Sequence, residues 1–100
     1  MTRYSACIEW LFQKESPAFP DRIRAAKAAG LDAVEFWRWS NKDLDAVKAA
    51  LDEAGLPIAG ILCEPIIRIT DPELHPVFLD GVRTSLLAAL KLGAPVMIAQ

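Results

Sequence analysis

Three times along this chain a helix-like segment runs into a glycine and then into a short apolar run. The copies are Ala-Ala-Gly at 28–30 before 31–37, Glu-Ala-Gly at 53–55 before 56–63, and Lys-Leu-Gly at 91–93 before 94–99. Each glycine stands where a helix needs a left-handed C-terminal cap. The runs that follow are rich in Val, Ile and Phe and apolar at nearly every position, as expected of a strand covered on both faces in a parallel sheet.

The segments between carry helical periods. Leu44, Val47, Leu51 and Ala54 step by three and four residues, while Lys42, Asp45, Lys48 and Asp52 take the other side, which is the pattern of an amphipathic helix. Asn41 is the expected N-cap. An earlier helix carries Phe19, Ile23, Ala26 and Ala29, with Pro20 tolerated in its first turn. A third follows the Asp71-Pro72 turn, begins near Pro76 and runs to Leu92, with Phe78, Val82, Leu86, Ala89 and Leu90 as its expected buried stripe. With residues 4–12 as the first strand, the order is βαβαβαβ, an α/β chain with right-handed crossovers.

Two architectures share that order, the closed barrel and the open doubly wound sheet. No glycine-rich phosphate loop follows the first strand, which removes the main cue for the open sheet. The expected fold is a partial (β/α)8 TIM barrel in one domain, residues 1–100, with about three βα units and a fourth parallel strand. A complete barrel takes ~250 residues, so this chain reads as the front two fifths of one, truncated at Gln100. Cut sheet edges and lumen-facing side chains then predict a homo-oligomer or an aggregating fragment.

The 13 acidic and 11 basic residues give a net charge of −2, and Lys and Arg form no cluster, so nucleic acid is not an expected partner. The longest apolar stretch, 86–99, is interrupted by Lys91, Gly93 and Pro95 and falls short of the ~20 residues of a membrane span. The first ten residues lack a secretory signal pattern, so a cytoplasmic protein is expected. Cys7 and Cys63 are far apart in apolar runs and suit buried reduced thiols better than a disulfide framework.

In a barrel, chemistry sits at the C-terminal strand ends. That rule selects Glu9, Trp10 and Phe12, then Glu35, Trp37, Arg38 and Trp39, then Cys63 and Glu64, and finally Gln100. Glu35 lies between Val34 and Phe36, where a carboxylate is costly unless paired or bound. It is either a salt-bridge partner of Arg38 or Arg68, or part of a substrate pocket. Trp37 and Trp39 share strand parity and so are expected on one side, as helix packing or as a pocket wall. Glu35, Trp37 and Gln100 are the expected substrate-binding residues. No His neighbours Cys63, which argues against a nucleophile, and His75 reads as a solvated or helix-capping residue.

Residues 4–12, 29–46 and 78–85 resemble the N-terminal part of the hydroxypyruvate isomerase group, within the xylose-isomerase-like barrel superfamily. The stretch Val34-Glu35-Phe36-Trp37, followed by Asn41-Lys42-Asp43-Leu44, is the more specific part of the likeness. The resemblance implies interconversion of hydroxypyruvate and tartronate semialdehyde through an enediol, with a small hydroxycarbonyl acid or sugar as substrate. It also implies a divalent metal, Mg or Mn, whose ligands and two catalytic glutamates lie late in the barrel, outside this chain, so that the 100 residues alone are expected to be inactive. The chain has Cys63 where relatives outside the subgroup often carry a His. A sugar epimerase or dehydratase of the same superfamily, or a non-catalytic self-associating half-barrel, are the alternatives.

Overall fold

The computed structural model describes residues 1–100. In chain order the elements are β1 (Ser5–Cys7), α1 (Phe19–Ala28), β2 (Ala33–Glu35), α2 (Leu44–Ala54), β3 (Ile58–Leu62), a 3-10 turn (Pro72–Leu74), α3 (His75–Leu92) and β4 (Met97–Ile98). The strands form one sheet in the order β1-β2-β3-β4, with every neighbouring pair parallel. This is the open arc of a (β/α)8 barrel, as the repeated phrase predicts.

All three glycines of that phrase have positive φ: Gly55 and Gly93 are the C-caps of α2 and α3, and Gly30 lies one residue past the cap of α1. The left-handed turn reverses the chain at once, and the following apolar run enters the sheet. Register is offset between β2 and β3, where Val34 faces Ile58 and Glu35 faces Gly60. The backbones approach closely there: a Cβ at Gly60 would lie 3.2 Å from the Val96 carbonyl oxygen, a tight contact.

Side chains of the strands and of the residues that follow them divide unequally between a helix-packed core and an open face. Ile8, Val34, Phe36, Ile58 and Ile61 join Ile23 and Ala26 of α1, Val47, Ala50 and Leu51 of α2, and Ala88, Ala89 and Leu92 of α3 in one buried core. The other face of the sheet carries Glu35, Trp37, Val96, Ile98 and Gln100 along an open cleft.

Four expectations are corrected. The first strand ends at Cys7, because residues 8–15 turn back over the strand ends. The N-cap of α2 is Asp43, not Asn41: its carboxylate accepts from the Ala46 backbone N–H at 3.1 Å. Helix α3 starts at His75, one residue before Pro76. Its buried face is rotated: Ser85, Ala88, Ala89 and Leu92 are inside, while Leu86 and Leu90 are 47% and 69% exposed. Small residues select that face. A Cβ at Gly81 would overlap the Glu64 carbonyl oxygen and the Pro65 ring, so α3 lies directly against the end of β3. No helix is long and apolar enough to cross a membrane.

Candidate functional site

The C-terminal strand ends carry three groups of side chains. The first is the open inner cleft, about 550 Å³, where Glu35, Trp37 and Gln100 come together with Gly60, Leu62 and Ile98. The salt bridge expected of Glu35 does not form with Arg38 or Arg68; its Oε2 accepts from the Ser5 hydroxyl at 2.9 Å. The reason is directional, since Glu35 points to the inner face while Arg38 lies beyond the end of β2 and pairs with Glu64. Trp37 stands at the cleft edge against Trp10, with ring centroids 4.7 Å apart and an edge-on angle of 73°. This geometry suits the aromatic quadrupoles. Trp39 goes elsewhere: it packs on the core and its indole N–H donates to the Ser85 hydroxyl at 3.0 Å. The expected shared side of the two indoles fails because strand geometry stops at Glu35, and parity beyond a strand end carries no information.

The second group is centred on Lys42. Its ammonium, on a side chain only 7% exposed, donates to both oxygens of Glu9 at 2.9 and 3.0 Å, to the Arg38 carbonyl at 2.6 Å and to the Asn41 side chain at 3.0 Å. It also lies 4.8 and 4.9 Å from the ring centroids of Phe19 and Phe36. A buried cation needs such company to offset lost hydration. Glu9 in turn accepts from the Trp37 backbone N–H at 3.1 Å, which ties the β1–α1 loop to the tryptophan of the cleft. Behind it, the Arg22 guanidinium donates to four carbonyls, those of Ile8, Glu9, Ser16 and Pro17.

The third group surrounds Glu64, at the end of β3. Its carboxylate accepts from Arg38 Nε at 3.1 Å, the Trp39 N–H at 3.1 Å, and the Ser40 N–H and hydroxyl at 2.9 and 2.8 Å. Burial works to raise the Glu64 carboxyl, but the Ser40 backbone and hydroxyl bonds, together with the bond and charge of Arg38, outweigh it and hold the group below the ordinary glutamate range. The Glu64 backbone N–H donates to Ser85 Oγ at 2.9 Å, so Ser85 receives donors from both Trp39 and Glu64.

Sequence reasoning named Glu9 and Glu64 only as strand-end residues, set Arg38 beside Glu35 as one of two salt-bridge partners, and missed Arg22, Lys42 and Ser85. Arg22 had a signal: with Phe19, Ile23 and Ala26 it falls on the buried spacing of α1. Lys42 had none: the sequence pattern sets it on the polar side of α2 with Asp45, Lys48 and Asp52, but it precedes the helix and its side chain is buried against Glu9, 33 residues away. His75 is exposed, with Nε2 2.9 Å from the Ile69 carbonyl oxygen. Cys63 is buried and Cys7 half-buried, and both are free thiols.

No group of three or more His, Cys, Asp or Glu side chains converges in the chain. The two best-placed carboxylates, Glu9 and Glu64, have their oxygens taken by Lys42 and Trp37, and by Arg38, Trp39 and Ser40, respectively. The residues present therefore do not fit a divalent-metal centre.

No protein-family model matches the chain. A Danio rerio protein described as "Putative hydroxypyruvate isomerase" is 44% identical over 63 residues, which is 63% of this chain and 22% of the relative. The crystal structure of AP endonuclease, family 2 from Brucella melitensis is similar with a TM-score of 0.89 and 26% sequence identity, covering 99% of this chain and 40% of that one. The chain thus spans well under half the length of the proteins it matches. Its sequence and fold together are those of the N-terminal portion of the xylose-isomerase-like TIM-barrel superfamily.

Proposed function

We propose that this chain forms one wall of the active site of a hydroxypyruvate isomerase-like enzyme, which interconverts hydroxypyruvate and tartronate semialdehyde through an enediol. The observation that carries the reading is the meeting of Glu35, Trp37 and Gln100 in one inner cleft at the C-terminal strand ends. In that cleft Glu35 and Gln100 supply hydrogen-bonding groups to a small polar substrate, and Trp37 with Trp10 excludes water from one side. The 44% identity to the Danio rerio protein supports the choice of substrate class. Proton transfer and any divalent metal belong, on this reading, to residues outside 1–100, and the 100-residue chain is inactive by itself. The unpaired thiols of Cys7 and Cys63 accord with a cytoplasmic setting. Exposed strand edges and the Leu86, Leu87 and Leu90 side chains of α3 support self-association when the chain stands alone.

The test is a titration of the chain with hydroxypyruvate read by tryptophan fluorescence. Saturable quenching, lost in Trp37→Phe and weakened in Glu35→Gln, is the expected result. Quenching that persists in both variants, or none at all, overturns the reading. In a protein containing this chain together with the βα units that complete the barrel, hydroxypyruvate isomerisation is expected, with Glu35→Gln reducing turnover more than thermal stability.

A further inference from the structure

A second cleft, about 520 Å³, lies between the β2–α2 loop and α3, lined by Arg38, Trp39, Ser40, Glu64, Gly81 and Thr84 among others. Arg38, Ser40, Glu64 and Thr84 bring polar groups to its otherwise apolar wall, and it plays no part in the isomerase reading. Arg38 is its distinctive group. A surface arginine ordinarily samples many rotamers, but this one is anchored at Nε to Glu64, and its two terminal nitrogens make no hydrogen bond within the chain. The side chain is 56% exposed while Glu64 is 8% exposed, so the anchor is buried and the fork is open.

The anchor is itself fully committed. Oε1 of Glu64 takes Arg38 Nε and the Ser40 hydroxyl, and Oε2 takes the Trp39 and Ser40 backbone N–H groups. Four donors thus share one negative charge, and the guanidinium is held by one edge with its outer edge unopposed. A guanidinium fixed in this way has already lost the rotamer freedom that binding would otherwise cost, and its remaining N–H groups match two oxygens of a planar or tetrahedral oxyanion. We propose that this cleft binds a small oxyanion, the carboxylate of an organic acid or a phosphate group, through the terminal nitrogens of Arg38. The proposal is independent of the inner cleft, and either can fail alone.

The test is a titration of the 15N-labelled chain with sodium lactate and, separately, with inorganic phosphate, using sodium chloride at matched ionic strength as control. The amides of Trp39 and Ser40, the Trp39 indole N–H and Arg38 Nε–H report on this cleft; the Trp37 amide reports on the other. Saturable shifts confined to the first set, with a Kd on the order of 1 mM, are expected. The anion that saturates at the lower concentration identifies the source. Arg38→Gln, whose spectrum also shows whether the fold survives, should weaken binding at least ~10-fold, and Arg38→Lys, which keeps the charge but loses the fork, should weaken it too. Chloride-like shifts with both anions, or unchanged affinity in Arg38→Gln or Arg38→Lys, would overturn the proposal.

Discussion

The two faces of the sheet are built from the same short strands and have opposite fates. On the helix side, Val34, Phe36, Ile58 and Ile61 are each no more than 2% exposed and packed by three helices. On the inner side, Trp37, Val96 and Ile98 are 38%, 52% and 54% exposed. One face completes itself within 100 residues, and the other in a closed barrel is covered by strands from across the lumen. Folding energy therefore comes mainly from the helix-packed side, and the exposed side chains gather on the side of the cleft.

The sharpest test of that separation is a pair of truncations. Phe36→Ala removes a ring packed edge-on against Phe19 at 5.1 Å and is expected to cost ~3 to 5 kcal/mol in urea unfolding. Ile98→Ala, in the edge strand β4 on the open face, should cost less than ~1 kcal/mol. The same Ile98→Ala change should reduce self-association, measured by sedimentation at micromolar concentration. Equal costs at the two positions would erase the contrast between the faces.

Lys42 extends the contrast to charge. Lys42→Ala leaves the Glu9 carboxylate half-buried without its cation and is expected to destabilise by ~3 to 5 kcal/mol. Arg24→Ala, which breaks exposed pairs with Asp21 and Glu53, should cost under ~1 kcal/mol. Gly81→Ala comes next in size. The added methyl must displace α3 from the Glu64 carbonyl and the Pro65 ring, and the expected loss is ~1 to 3 kcal/mol despite the better helix propensity of alanine.

The smallest expected effect is a pH slope. Because the folded Glu64 carboxyl sits below the ordinary glutamate value of about 4.3, its contribution is fully present above that pH and drains away as pH falls through the lower folded value. Thermal unfolding of Glu64→Gln should lose this part of the acid sensitivity and match the parent's slope above pH 6, a window set about two units above that value.

The outline of the fold was legible because its signals are local. A glycine after a helix and an apolar run after the glycine are written within ten residues, and all three copies fold as read. The face of α3 was not legible, because leucines mark an apolar stripe while Gly81 and Ser85 mark close approach, and only the position of Glu64 and Trp39 decides between them. Of the ten strand-end residues that the barrel rule selects, Glu35, Trp37 and Gln100 line the inner cleft, and the other seven lie outside it. The ionic groups were not legible: Lys42 meets Glu9 across 33 residues and Arg38 meets Glu64 across 26, and no local period encodes either meeting.

The Arg22 fork has a consequence for proteolysis. Trypsin requires an arginine released into an extended, accessible strand, yet Arg22 is 9% exposed and bound to four carbonyls of the β1–α1 loop. The Arg22–Ile23 bond is thus shielded by the very side chain the protease must recognise. Cleavage there should proceed only from molecules in which the loop contacts have broken and α1 has unwound around Arg22, and its rate under native conditions measures the free energy of that opening. The exposed Arg83, held only by Asp80 within α3, lacks any such long-range tether. Comparing the two cuts in one digest would rank α1 with its tethered loop against α3 on a single clock.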